Sequence, residues 1–500
     1  MKKIGACLLL VVNLPVLFAQ TNMPAARSLS LTDCFAAALK HNFDVQIEQF
    51  APQISLYNLN SAYGGYDPQL NLSGQHRYDD AGAAIQNNQF VAPTTSDENA
   101  FTAGLNGLTP WGLTYNFNGN VNEQYGSKSL GAYTTPFDAS GGSFGVSLTQ
   151  PLLKNFWIDN NRLTILVAKN QLKYYEQALR GQIITSMTAV ENAYYELIYA
   201  RENVKVQQEA LSLSETQLDQ DKQRVQIGSV AERDGTLEQD ESQVAQSRAN
   251  LISAISTLGT DQRVLKNLIT DEYSEWVDAD IQPTTTLEAQ PQLFDLQDSW
   301  SKGMTQRPEL LQARLNVEQQ GIQLKYLRNQ LFPELDLVGS YGFNGAGREF
   351  NNALGQMNEG SRPYYVYGGQ MSIPLSNARA RNQLKAGKVS LKQLLLQVKQ
   401  LEQKIMVEID NAVGVAKSDY ESVDASRQAR IYAEAALDAE QKKYAVGKST
   451  TFTVLQLQNN LTSVRSQEMR ALANYNQALA NLALQEGSTL ERHKIDVQAK

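Results

Sequence analysis

The side chains that most often carry chemistry are few in this chain and poorly spaced for it. The three histidines, His41, His76 and His493, stand far apart, and none sits at a metal-ligating spacing from another ligand. No phosphate-cradling glycine loop and no serine nucleophile elbow occurs. The expectation is a chain with no catalytic site, no cofactor and no metal, so energy for any work must come from a partner. One pair of acids invites attention: Glu232 and Asp234, just beyond Gly228. Exposed acids at a helix start commonly serve the positive end of its dipole.

The elements that would position such groups follow from the rest of the chain. Lys2 and Lys3 precede an apolar run from Ile4 to Phe18 with a cut site after Ala19, which reads as a secretory signal over residues 1–19. Cys7 lies near the start of that run, too early for a lipidation box. Cleavage moves the formal charge from −8 to −10 by removing two lysines and no acid, and an acidic exported protein is a poor nucleic-acid binder. Cys34 is then the only cysteine, so no internal disulfide forms. Past the signal, no apolar stretch reaches the ~18 residues of a membrane helix. Any crossing must use strands.

The chain is duplicated. Residues 41–78 lie on 306–343 without a gap, so that Pro68-x-Leu70-x-Leu72-x-Gly74 meets Pro333-x-Leu335-x-Leu337-x-Gly339. Later in each half, Gln150-Pro151-Leu152 matches Ile373-Pro374-Leu375, and Ile227-Gly228-Ser229 matches Val446-Gly447-Lys448. The expected division is 20–285 for the first copy, 286–490 for the second and 491–500 for a polar tail. Each copy runs helix, strands, then two long helices broken at the glycine. Pro68, Pro151, Pro333 and Pro374 mark the helix–strand junctions.

Strand segments alternate apolar with polar. Leu70, Leu72 and Tyr78 oppose Asn71, Ser73 and Arg77; Tyr115, Phe117 and Val121 oppose Asn116, Asn118 and Asn122; Tyr365, Tyr367 and Met371 oppose Gln370 and Ser372. This fits a soluble sandwich with one wet face, or a membrane barrel, which the aromatic content, the strand length and the polar linkers 79–99 and 344–362 favour. The helices carry a 3.5-residue period: Ile183, Met187, Val190, Tyr194, Leu197, Arg201, Val204, Gln208 and Leu211 in one copy, Leu391, Leu395, Val398, Glu402, Ile405, Ile409, Ala412 and Ala416 in the other. A helix over 153–226 would reach on the order of 110 Å, a rod or a wall. Its polar faces suit a wall wet on both sides or a solvated coiled coil.

Long helices joined to membrane-type strands, all in duplicate, resemble the TolC-like outer-membrane efflux family over residues 28–487. The resemblance rests on Leu31-Thr32-Asp33 with Ala36-Ala37-Ala38-Leu39, on the two Pro-x-Leu-x-Leu segments, on Gln150-Pro151-Leu152 and on Tyr444-Ala445-Val446-Gly447. It implies an α+β membrane protein: a homotrimer whose chains share one transmembrane β-barrel in outer-membrane lipid and one long α-helical coiled-coil barrel forming a periplasmic tunnel. It also implies a periplasmic adaptor (membrane-fusion) protein and an inner-membrane pump as partners, with Gly228, Gly447 and Tyr444 at the tip they contact. The family form uses two strands per copy, whereas the first copy here holds four, around Thr109-Pro110-Trp111-Gly112. The added pair near 100–123 either widens the barrel, the favoured reading, or projects as a surface hairpin. Relatives closed by acidic rings carry aspartates at positions matching Thr453 and Gln456, both neutral here. The candidate aperture residues are therefore Asp234, Thr453 and Gln456. A periplasmic coiled-coil adaptor or scaffold is the competing reading, but it should show one helical hairpin rather than two.

Overall fold

The computed structural model describes residues 26–87, 89–226 and 236–495. The signal at 1–19 and the end of the tail lie outside them. Contacts divide the chain into two units that each draw on both halves of the sequence. One gathers the chain up to Val45 with Thr185–Leu293 and Gly414–Leu482, the other Gln46–Ile184, Phe294–Val413 and the chain from Ala483.

In the first unit, β1 (Ala26–Leu29) pairs in parallel with β8 (Asp280–Pro283). Helix α1 (Leu31–His41) begins on a capping box: the Asp33 amide donates to Ser30 Oγ at 3.2 Å, and the Ser30 amide donates back to the Asp33 carboxylate at 3.0 Å. It stops at Asn42, whose Oδ1 accepts from the amides of Asp44 and Val45 and so opens α2 (Phe43–Tyr63). The Asn42 Nδ2 donates to Leu268 O on α4 (Thr236–Ile269), fixing the start of the chain to the long helices.

The second unit holds a six-stranded antiparallel sheet in the order β10-β9-β7-β6-β5-β2. Four strands come from the first half: β2 (Gln69–Ala81), β5 (Thr94–Leu108), β6 (Thr114–Leu130) and β7 (Tyr133–Pro151). Two come from the second, β9 (Glu334–Gly347) and β10 (Pro363–Ser372). The added pair is thus part of the sheet rather than a projecting hairpin. Register carries the alternation across every strand. Leu70, Leu105, Phe117, Val146, Tyr341 and Tyr365 form one apolar row, while Ser73, Thr102, Asn120, Ser143 and Asn344 form a polar row on the opposite face. Polar side chains bond across strands there, Ser73 to Thr102 at 2.5 Å and Ser143 to Asn120 at 2.5 Å.

Two expected linkers are ordered. Over 79–99, β2 continues to Ala81, a short hairpin of β3 (Ala84–Gln86) and β4 (Gln89–Val91) follows, and β5 starts at Thr94. The ladder simply outruns the apolar segment, because antiparallel backbone bonding does not require greasy side chains. Within 344–362 stands a helix, α7 (Phe350–Glu359), closed by Gly360 at φ 66°. Its apolar residues Phe350, Ala353, Leu354 and Met357 fall at helical rather than alternating spacing.

Helix α3 (Asn160–Gln226) starts later than the expected 153. Residues 152–159 turn through Asn155 at φ 66°, and Asp159 Oδ1 accepts the Arg162 amide at 2.8 Å to begin the helix. At 67 residues it runs about 100 Å. Its seam is buried as the period demands, with Ile183, Met187, Val190, Tyr194 and Leu197 nearly inaccessible. On α8 (Ala378–Ala445) the seam splits: Ile405, Ile409 and Ala416 are buried, whereas Leu395 is exposed. Helix α9 (Thr451–Glu486) completes the second long hairpin.

Met187, wholly buried on α3, leaves a cavity if cut back. Met187→Ala is expected to cost about 2–5 kcal/mol, read as a lowered thermal unfolding midpoint of the purified protein.

Candidate functional site

The glycine end of the second hairpin is built by a helix-stop motif. Gly447 takes φ 74°. The Lys448 amide donates to Lys443 O at 2.9 Å and the Gly447 amide to Tyr444 O at 3.0 Å, the paired bonds of a Schellman cap. A side chain at Gly447 would be strained by that φ, although the space around it is open. The chain re-enters helix α9 behind Thr450, whose hydroxyl accepts the Thr453 amide at 3.4 Å and meets Thr453 Oγ1 at 3.0 Å. Ser449 Oγ donates to Glu440 Oε1 at 2.5 Å, next to the Lys443–Glu440 ion pair at 2.8 Å.

Behind this turn lies a buried polar cluster contributed by all four long helices. Asp221 of α3 is 0% exposed. Its carboxylate accepts from Tyr444 Oη of α8 at 2.7 Å, from Thr451 Oγ1 of α9 at 3.2 Å and from Gln217 Nε2 at 2.9 Å. Arg224 adds charge at 3.5 Å and lays its guanidinium over the Tyr444 ring, 4.3 Å from the centroid. Asp240 of α4, 1% exposed, faces Asp221, and both of its carboxyl oxygens lack a donor among the described residues. Burial first, then the charge of Asp221, pushes Asp240 up to about 7. Holding its proton, Asp240 donates to Asp221; ionised, it places two negative charges in a site sealed from water. Burial, and then Asp221, also hold the Tyr444 phenol above its ordinary range.

Further along the hairpins, polar ladders tie α3 and α4 to α8 and α9. Arg465 joins Glu434 at 3.0 Å and Glu209 at 2.9 Å. Arg430 reaches Glu468 at 2.5 Å, Arg470 reaches Glu196 at 2.7 Å, and Gln243 exchanges amide bonds with Asn459 at 2.7 and 2.9 Å.

The expected site residues distribute as follows. Tyr444 and Gly447 belong to the turn and its cluster. Thr453 is half-buried beside its cap, and Gln456 is exposed. Gly228, Glu232 and Asp234 lie outside the described residues. Pro68, Pro151, Pro333 and Pro374 all stand at the helix-side ends of strands β2, β7, β9 and β10, where a missing amide breaks no interior ladder. The sequence reading missed Asp221 and Asp240. A signal for Asp240 exists, since stepping back by sevens from buried Ala254 gives Ser247 and then Asp240, all inaccessible.

A model of the outer membrane efflux protein family matches residues 113–270 and 301–488. The chain belongs to that family. It is 23% identical over 325 residues to the outer membrane efflux protein BepC of Brucella suis, covering 65% of this chain and 67% of that one. To the outer membrane protein TolC of Escherichia coli it is 23% identical over 288 residues, 57% of either chain, so the match spans less than two thirds of TolC. The Campylobacter jejuni CmeC outer membrane channel superposes with a TM-score of 0.65 at 15% identity, covering 92% of this chain and 86% of that one. At such identity the likeness speaks for the fold. Membership makes this an outer-membrane protein of a transport family, with a large periplasmic portion.

The Asp221–Asp240 pair makes stability pH-dependent. Asp240 returns to about 3.8 when unfolded and stands at about 7 when folded, so the native state holds the proton more tightly. Its stabilisation is full below the lower value, declines as pH rises and is gone above about 7. Asp240→Asn, neutral at every pH, is expected to raise the thermal unfolding midpoint at pH 8, to change little at pH 4 and to flatten the slope between. An unchanged slope in the variant would assign the pH response elsewhere.

Proposed function

We propose that this chain is one of three identical subunits of a passive outer-membrane duct, serving a tripartite efflux or type I secretion system. In this reading, substrate passes from the periplasm or an inner-membrane pump to the exterior. The observation that carries the proposal is the open sheet. Strands β2 and β10 each have one neighbour, and a sheet in hydrocarbon cannot leave a row of backbone groups unpaired. The β2 edge of one copy against the β10 edge of the next satisfies both. Three such sheets carry eighteen strands, a size at which barrels enclose an aqueous channel. The apolar face then meets lipid and the Asn- and Ser-rich face lines the pore.

A second observation favours assembly. On α2, Phe43, Ile47, Phe50, Ile54 and Tyr57 step by four and three, and every one is exposed. Leu395 and Leu396 of α8 are exposed as well. An apolar coiled-coil stripe left open in one chain is the surface a neighbouring copy would cover. Residues 20–285 and 286–490 then act as two copies of one unit, each with a helical hairpin in a shared tunnel. Gly228 and the Gly447 turn, with Tyr444, would meet a periplasmic adaptor. With Thr453 engaged at a cap and Gln456 neutral, closure of the second hairpin rests on the Asp221–Tyr444–Thr451 bonds rather than on an acidic ring. A periplasmic adaptor or scaffold, the competing reading, gives no use to a six-stranded sheet with one apolar face.

Native mass of the protein extracted in mild detergent from isolated outer membranes tests the proposal. Three chains are expected, and a soluble monomer absent from that fraction would overturn it. Phe50→Glu combined with Ile54→Glu is expected to deplete the three-chain species while chain abundance persists. Undiminished assembly would remove the α2 stripe from the subunit contact.

A further inference from the structure

Helix α7 is seated on the apolar face of the sheet by glycines. A Cβ at Gly345 would strike the Ala353 carbonyl, one at Gly347 would meet Asn352 Cβ at 2.5 Å, and one at Gly142 would stand 3.1 Å from both Met357 Cε and Val121 Cγ2. Ala353 is fully buried on this seat. The Phe350 ring meets Phe101 of β5 edge-on, with centroids 5.9 Å apart. Between helix and sheet remains a groove of about 830 Å³, lined by Leu72, Phe101, Val121, Phe144, Leu354 and Met357. Ser73, Thr102, Asn120 and Ser143 also border it, but alternation turns their side chains to the other face, so they offer only backbone already bonded in the ladder.

The groove is therefore apolar, and water in it would find few partners. It opens onto the row of Leu70, Leu105, Phe117 and Val146, the surface read above as lipid-facing. The other side of α7 shows exposed Asn351, Asn352 and Glu359, which have no place in hydrocarbon. That puts the helix at headgroup level. It joins β9 to β10 at their ends away from the junction prolines and packs back against the interior of β5, β6 and β7, toward the outer side of a duct whose helices stand in the periplasm.

We infer that each chain holds one acyl chain of an outer-leaflet lipid in this groove, clamped between α7 and the sheet. The inference rests on the membrane-barrel reading above. Continuity with the lipid-facing band selects the occupant: hydrocarbon reaches the groove sideways from the bilayer, whereas a soluble ligand would find no charge and one side-chain amide, that of Asn358 at the α7 edge.

The test is the lipid retained by the full-length protein, extracted from outer membranes, washed through repeated detergent exchange and weighed intact by native mass spectrometry. Lipid stoichiometric with the chain is expected. Ala103→Trp, which fills the groove from the sheet, and Phe350→Ala, which loosens the clamp, are each expected to lower occupancy about tenfold. Leu70→Trp, in the open apolar band, should retain it. Assembled wild-type protein carrying no lipid would overturn the inference while leaving the duct standing, and so would equal retention in Ala103→Trp. If either groove variant fails to assemble, the other and the wild type still decide. A wild-type chain that is not a membrane-embedded oligomer would instead overturn the reading beneath it.

Discussion

A peptide group in hydrocarbon has no water to bond, and six strands are too few to bond one another completely. The unpaired amides and carbonyls of β2 and β10 thus set the terms for the rest of the chain. In the proposed duct they leave the single copy incomplete in lipid and mark the edges a neighbouring copy would cover. The even strand number of each half, β2, β5, β6 and β7 in the first and β9 and β10 in the second, brings the flanking helices in and out at one end. The prolines at the four junctions end each ladder where no further donor is needed.

The helices answer a different constraint. A hairpin on the order of 100 Å long cannot be held by apolar burial alone when most of its surface is wet. Apolar seam gives way to polar seam toward the turn: Leu197 and Val204 are followed by buried Ser214, Gln217 and Asp221. Apolar packing is tolerant of sliding, whereas Asp221 must meet Tyr444 and Thr451 at hydrogen-bond distance, so the polar end fixes the register of the hairpins. The Asp240 carboxyl set against Asp221 is the cost of that arrangement, since the pair is best accommodated while Asp240 keeps its proton.

Much of this architecture is legible in the residues. The offset that lays Pro68 on Pro333 and the in–out alternation of Leu70, Phe117 and Tyr365 are local signals, and local signals survive without an alignment. The 4-3 seam through Met187 and Tyr194 is equally plain. Helix α7 was hidden because Phe350, Ala353, Leu354 and Met357 make a short apolar set inside a polar segment, and its glycine seats lie on other strands. The partnership of Asp221 with Tyr444 was hidden for the same reason: 223 residues separate them, and neither side chain announces a distant partner. The α2 stripe of Phe43, Ile47, Phe50, Ile54 and Tyr57 is open to a heptad count.

The strand insertion in the first half has one further consequence. β5 and β6 enter and leave at the same end of the sheet, and they preserve the side on which every flanking residue points. Leu70 faces Leu105, Leu105 faces Phe117, and Phe117 faces Val146. Excising the pair would set Leu70 directly opposite Val146, antiparallel and still greasy side to greasy side. In the proposed duct, bore width is thereby separable from the order of the helices: a lineage can enlarge or narrow the opening in increments of one hairpin per chain without reversing the face any strand presents.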